Sequence, residues 1–208
     1  MIKILLILFF YLSLSIPSQA ENIKDFQIGK MNVKDSLLDY FDKKAIIKDL
    51  NSNYTHFYKN KAYAIITAGS SDNYDLRINT HPYDDIAITI KPADKKFIIY
   101  ALSGRIFCPD DINYCTSKKK EIENELKIFF GKNVEFKVDD GTHSYDKTGK
   151  SKTYNTYFIF ESGDYVSVST YDWHKDAKNK NGRSFPDNTK VSIMTNEFEQ
   201  FLSNVQFN

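Results

Sequence analysis

Apolar and polar positions alternate with a period of two over residues 86–91, where Ile86, Ile88 and Ile90 interleave with Ala87, Thr89 and Lys91. That is the pattern of a half-buried strand. Pro92 and Asp94 mark a turn within 91–96, since proline presets one backbone angle and aspartate bonds its own backbone. Residues 97–107 are apolar on both faces and read as a central strand. A helix follows, carrying Cys115, Ile122, Leu126 and Phe129 on one stripe and stopping at Gly131. The stretch 83–131 is thus a hairpin feeding an amphipathic helix, and the rest of the chain is read around it.

Before this unit, Asn32 is a good N-cap with Asp35 near the positive end of a helix. Val33, Leu37, Leu38, Phe41 and Ala45 then form a helical stripe reaching about residue 50, with a break near Asp42. Residues 61–68 alternate as a strand. After the central helix, 134–138 alternate again, and 139–153 form a polar loop. Residues 154–160 and 165–171 flank Glu161-Ser162-Gly163-Asp164, a hairpin turn with glycine where a positive φ is needed. If Ser162-Gly163 is a two-residue turn, Phe158, Phe160 and Tyr165 share one sheet face, and Tyr157, Ile159, Val166 and Val168 the other. A second polar loop spans 172–188, a strand follows at 190–194, and Thr195 caps a closing helix bearing Phe198, Phe201 and Leu202. Helices separated by runs of strands predict an α+β fold, an antiparallel sheet of about six to seven strands with helices packed on one face. The order also reads as two tandem helix-plus-meander units, 21–131 and 132–208, within a single domain 21–208, although no residue-level repeat is visible.

Residues 1–20 read as a signal peptide rather than as part of the fold. Lys3 supplies the positive start, 4–16 an apolar run, and Ser18-Gln19-Ala20 a small-x-small cleavage site. The run is short for a membrane span, which takes about 20 residues; an uncleaved anchor is the alternative reading. No other segment could cross a membrane, and no cysteine stands at the cleavage point to carry a lipid. The expected location is periplasmic or secreted. A formal net charge of +1 gives no footprint for nucleic acid, and Lys118-Lys119-Lys120 before Glu121, Glu123 and Glu125 suits a solvated helix face. In an exported chain, the pair Cys108 and Cys115 is a disulfide candidate, with two buried thiols as the alternative.

Several segments together resemble a family of short, uncharacterised exported bacterial proteins. They are Ile28-Gly29-Lys30-Met31, Asp35-Ser36-Leu37-Leu38-Asp39-Tyr40-Phe41, Ser103-Gly104-Arg105-Ile106-Phe107, Asp146-Lys147-Thr148-Gly149-Lys150-Ser151 and Tyr171-Asp172-Trp173. The resemblance implies a bacterial origin and transfers no catalytic residue. More loosely, the Ile-Gly-x-Met entry to a first helix followed by a meander is similar in architecture to the outer-membrane assembly lipoprotein BamE and to β-lactamase inhibitor protein. Those proteins bind partners through a sheet or its loops.

Catalytic motifs are largely missing. Ser144 to Ser151 approaches a phosphate-binding loop, but Ser144 stands where glycine is required and a strand follows instead of a helix. Asp139, Asp140, His143 and Asp146 match neither a calcium loop nor a closed zinc set, so no metal or cofactor is expected. His56, His81 and His174 stand alone. Gly-x-Ser-x-Gly and His-Glu-x-x-His are absent, Ser103-Gly104-Arg105 has no identifiable base, and Asp84-Asp85 and Asp110-Asp111 suit turns and caps. What remains is aromatic: of 14 tyrosines and 16 phenylalanines, Tyr154, Tyr157, Tyr165 and Tyr171 gather with Trp173 and His174 on one hairpin and its exit. Tyrosine and tryptophan are enriched at binding hot spots, although such residues also pair across strands simply to hold a sheet. The expectation is an exported, non-catalytic binding protein of the bacterial envelope, its partner another envelope protein or a soluble ligand. An extracytoplasmic hydrolase with a site assembled from distant residues is the alternative.

Overall fold

A computed structural model describes residues 23–109, 111–178 and 182–206. Residues 1–20, read above as a signal peptide, and Asp110 lie outside the described residues, among which no helix is long and apolar enough to cross a membrane.

The chain forms an α+β fold dominated by one sheet of nine strands. The first half supplies β1 (His56–Phe57), β2 (Ala64–Gly69), β3 (Leu76–Arg77), β4 (Asp85–Ile90) and β5 (Ile99–Phe107). The second supplies β6 (Glu135–Thr142), β7 (Lys152–Ile159), β8 (Tyr165–Asp172) and β9 (Asn188–Met194). Their spatial order is β1-β2-β4-β5-β9-β8-β7-β6, antiparallel throughout, with the short β3 parallel to β2 off the main path. The strand count exceeds expectation because β1 and β3 are two-residue pairings in stretches with no readable alternation.

Three helices accompany the sheet: α1 (Lys43–Leu50), α2 (Ile112–Phe130) and α3 (Asn196–Phe201). The stripe from Val33 to Ala45 is not one helix. Lys34 adopts a left-handed φ of 73°, and its N–H and that of Leu37 donate to the Ile99 and Phe97 carbonyls. The segment is therefore spent on anchoring the start of β5, Leu37–Asp39 form a 3-10 turn, and the helix begins only at Lys43. Val33 and Leu37 are still fully buried, so the apolar signal was that of core residues without helical geometry.

One face of the sheet packs on α1 and α2. Ile66, Ile86, Ile88, Leu102, Val166, Val168, Val191 and Ile193 meet Ile46, Leu126 and Phe130 in the main core. In α2 the buried terminal ring is Phe130 rather than Phe129, which is 37 % exposed. Gly104 lies on this face beneath the ring of Tyr83, where any Cβ would fall 2.5 Å from a ring carbon. The start of α2 is fixed three ways. Asp111 caps it by accepting from the Tyr114 N–H (3.0 Å), Thr189 donates to the Cys115 carbonyl (2.9 Å), and Cys115 is joined to Cys108 at the end of β5 (S–S 2.14 Å). Farther along, Lys119 and Glu123 hold Thr156 of β7 between them.

α3 packs on the opposite face. Phe198 buries with Ala101 of β5 and Tyr63, and Met194, Phe201 and Leu202 join them. The helices are therefore not confined to one face. The β7–β8 hairpin also differs from the two-residue turn. Phe160 pairs with Asp164, Gly163 takes φ 79°, and its N–H returns to the Phe160 carbonyl, giving a three-residue loop. The shift places Phe158 opposite Val166 and Ile159 opposite Tyr165. Tyr157, Ile159 and Tyr165 thus share the second face, and Phe158, Val166 and Val168 the core face, because one extra loop residue exchanges the sides of a whole strand.

Two expectations follow. Truncating Phe130→Ala should cost about 3–5 kcal/mol, as for other buried rings, measured by denaturant unfolding. Replacing both cysteines with alanine should cost about 2–3 kcal/mol, since the small loop no longer restricts the unfolded chain; an unchanged midpoint would contradict this contribution.

Candidate functional site

The second face is lined across β5, β9, β8 and β7 by residues that face each other in register. Ser103, Ser192, Ser167 and Tyr157 make one row, and Arg105, Lys190, Ser169 and Asn155 the next. Small hydroxyls form its floor, and Ser103 and Ser192 bond to each other (2.8 Å). Among the described residues, every buried side-chain polar atom has a hydrogen-bond partner. α3 closes one end of this face. Two loops, 143–151 after β6 and the described residues 173–178 and 182–187 after β8, close the other.

The loops are tied into one body by Asp146. Its carboxylate accepts from the N–H and hydroxyl of Thr148 (2.9 and 2.8 Å) and from the N–H and hydroxyl of Ser151 (2.8 and 2.7 Å). The Ser151 oxygen in turn accepts from the His174 N–H (3.0 Å) of the other loop. Partial burial opposes the charged form, but the Ser151 and Thr148 bonds outweigh it and hold the carboxyl well below the usual carboxylate range. In the segment that approaches a phosphate loop, the amides that would cradle an anion are thus already occupied by the chain's own carboxylate. Ser151 is equally committed, giving its proton to a carboxylate and sharing its lone pair with an amide.

Over this body the rings gather. Trp173 lies between His143 (centroids 4.2 Å) and Phe185 (4.3 Å, interplanar 25°). Tyr171 stacks 6.3 Å away at 16°, and Tyr145, 70 % exposed, leans on His143. The Trp173 backbone N–H donates to the Asp187 carboxylate (2.7 Å), fixing the main chain at the base of the loop. His143 accepts the Tyr145 N–H at Nδ1 (3.1 Å); burial and then the charge of Lys190 lower its pKa, which keeps the imidazole neutral. His143, Tyr145, Trp173 and Phe185 border a groove of about 860 Å³ that His56 of β1 also lines. β1 and β6 are opposite edges of the main sheet, about 33 Å apart if eight strands lay flat. The face is therefore coiled inward, and the 143–151 loop reaches across it.

No protein-family model, curated protein or solved structure matches this chain.

Of the residues singled out from sequence, the structure brings Tyr171 and Trp173 into the cluster. Tyr154 sits on the other face of the sheet, opposite Thr170. Tyr157 and Tyr165 are on the right face but contact each other (5.6 Å), and the Tyr165 hydroxyl donates to Glu199 of α3 (2.9 Å). His174 contributes its backbone to the loop lock, and its ring faces Asp176 (3.4 Å). His143, Tyr145, Phe185 and Lys190 were missed. The available signal was Phe185, a lone large apolar residue in a polar loop, together with His143, which sequence spacing framed only as a metal ligand. Among the described residues no three His, Cys, Asp or Glu side chains converge on a metal position.

Because the Asp146 pKa is lowered in the folded chain, its stabilisation is present above the unfolded value near 3.9 and lost as pH falls toward the folded one. Asp146→Asn should lower the melting temperature at pH 7, and the gap from the parent should narrow below about pH 4. His143 has the same sign in another window. Its neutral folded form makes stability decline below about pH 6.5, and His143→Phe should flatten that part of the profile.

Proposed function

We propose that this chain is an exported, non-catalytic binding protein of the bacterial envelope, and that its ligand or partner docks in the aromatic groove around Trp173. The observation that carries this reading is the locked pair of loops. Asp146, Ser151 and His174 join segments from two different hairpins and hold the rings around an 860 Å³ groove on the concave face. Rings held in place before binding lose little freedom when a ligand arrives.

The hydrolase alternative calls for carboxylates or histidines left available in a cleft. Here Asp85 is engaged bidentately by Arg105 (2.6 Å twice), Asp84 by the Phe107 N–H, Asp164 by Lys34 and the Asn196 N–H, and Asp146 by its own loop. Those commitments favour binding over acid–base work. Export is supported by the leader-like start and by the buried Cys108–Cys115 bond. The strand order further supports reading the chain as two helix-plus-meander units joined edge to edge.

The test is cross-linking of the mature protein in its own envelope, with captured species identified by mass spectrometry. Tyr145→Ala, which removes an exposed ring without opening the core, should reduce one specific capture severalfold, and Trp173→Phe should reduce it less. Capture that is unchanged in Tyr145→Ala and in a Trp173→Ala variant shown to be folded would contradict the reading.

A further inference from the structure

Below the rings, a second hollow of about 290 Å³ opens onto β5, β8 and β9 and shares His143, Tyr145, Trp173 and Phe185 with the larger groove. Arg105 and Lys190 form its polar wall, and no aspartate or glutamate lines it. The two cations are not equivalent. Arg105 is neutralised from behind by the buried carboxylate of Asp85, to which it donates twice. Lys190 has no carboxylate within ion-pair distance among the described residues, and its ammonium stands 4.9 Å from the centre of the Tyr171 ring. A half-buried lysine against a ring, in a hollow without acids, focuses positive potential on whatever enters.

We propose that this hollow receives the carboxylate of a small ring-bearing acid, with Lys190 as its counter-charge and the ring of the ligand against the aromatic groove above. The inference rests on the binding reading and adds the ligand class. One uncompensated cation suits a monoanion. A phosphate would call on several donors, whereas Arg105 is already paired and the amides of the 146–151 loop already serve Asp146. The ring requirement comes from Tyr145, which is 70 % exposed and lines both the hollow and the groove, and whose flat apolar surface stacks equally well on an aromatic ring or a sugar face.

The sequence holds a single tryptophan, so emission from the intact protein, excited at the red edge where tyrosine does not absorb, reports this site alone. Titration with benzoate and glucuronate should give a saturable change for at least one acid, the responding one naming the ring type. The neutral counterparts benzamide and glucose, and inorganic phosphate, should bind about tenfold more weakly or worse, the effect of losing a charged hydrogen bond. Lys190→Gln should weaken the acid by a similar factor and Lys190→Arg should restore it, both checked for folding by circular dichroism. Neutral analogues or phosphate binding as tightly as the acids would overturn the inference and leave the binding reading intact. No saturable response to either acid up to about 10 mM also overturns it. If envelope capture still depends on Tyr145, only the ligand class is lost; if that dependence is absent too, both readings fall.

Discussion

The pairing of β5 with β9 is the contact on which the rest of the molecule depends. Residues 101–107 lie antiparallel to 188–194 across seven registered pairs, and between those segments the chain has built α2 and three strands. Without this pairing, β5 and β9 would each be an exposed edge of a small meander, unpaired along a row of amides and carbonyls. With it, Leu102 and Ile193 become neighbours in one core that α1 and α2 cover together. The disulfide and the Thr189–Cys115 bond act on the same seam, fixing the first turn of α2 to the ends of β5 and β9.

The site is a consequence of that seam. Joining the halves places Arg105 of β5 beside Lys190 of β9 and Tyr171 of β8 on the face away from the main core. α3 then shields one end, through Phe198 over Ala101 and Glu199 at the Tyr165 hydroxyl. The loops at the other end have little apolar anchorage of their own; among their described residues the buried hydrophobic side chain is Ala177. Their order comes from polar bonds concentrated on Asp146. A carboxylate that satisfies several amides and hydroxyls at once gives a polar loop the definition that strands obtain from their ladders. Shape at the groove therefore rests on electrostatics, and shape beneath it rests on packing.

The sequence made the regular parts legible where periodicity and burial coincide. β4, β5, α2 and the closing helix stand close to their expected positions because their side chains alternate or stripe against one core. It failed where a single backbone choice controls many side chains. The three-residue loop around Gly163 reversed the faces of Tyr165 and Val166, and only the turn geometry could have decided this. Val33 and Leu37 kept their burial and lost their helix, because left-handed Lys34 and the bonds to Ile99 and Phe97 made an anchor of that segment. In the candidate site, Tyr171 and Trp173 were visible as unusual residues beside a loop. His143 and Lys190 acquire their meaning only through the coiling of the sheet and the pairing of strands far apart in the chain, which no local pattern records.

The central claim is that the concave face near Trp173 is the surface the protein uses. The most direct measurement is a fragment screen followed in the amide and indole resonances of the isotopically labelled protein. Perturbations should converge on the Trp173 indole and on amides at 143–148, 171–174, 185 and 187–190. Perturbations that converge instead on the separate cleft of about 880 Å³ that Lys34 and Asp164 line, or on the exposed edge strand β6, with the indole unmoved, would contradict it.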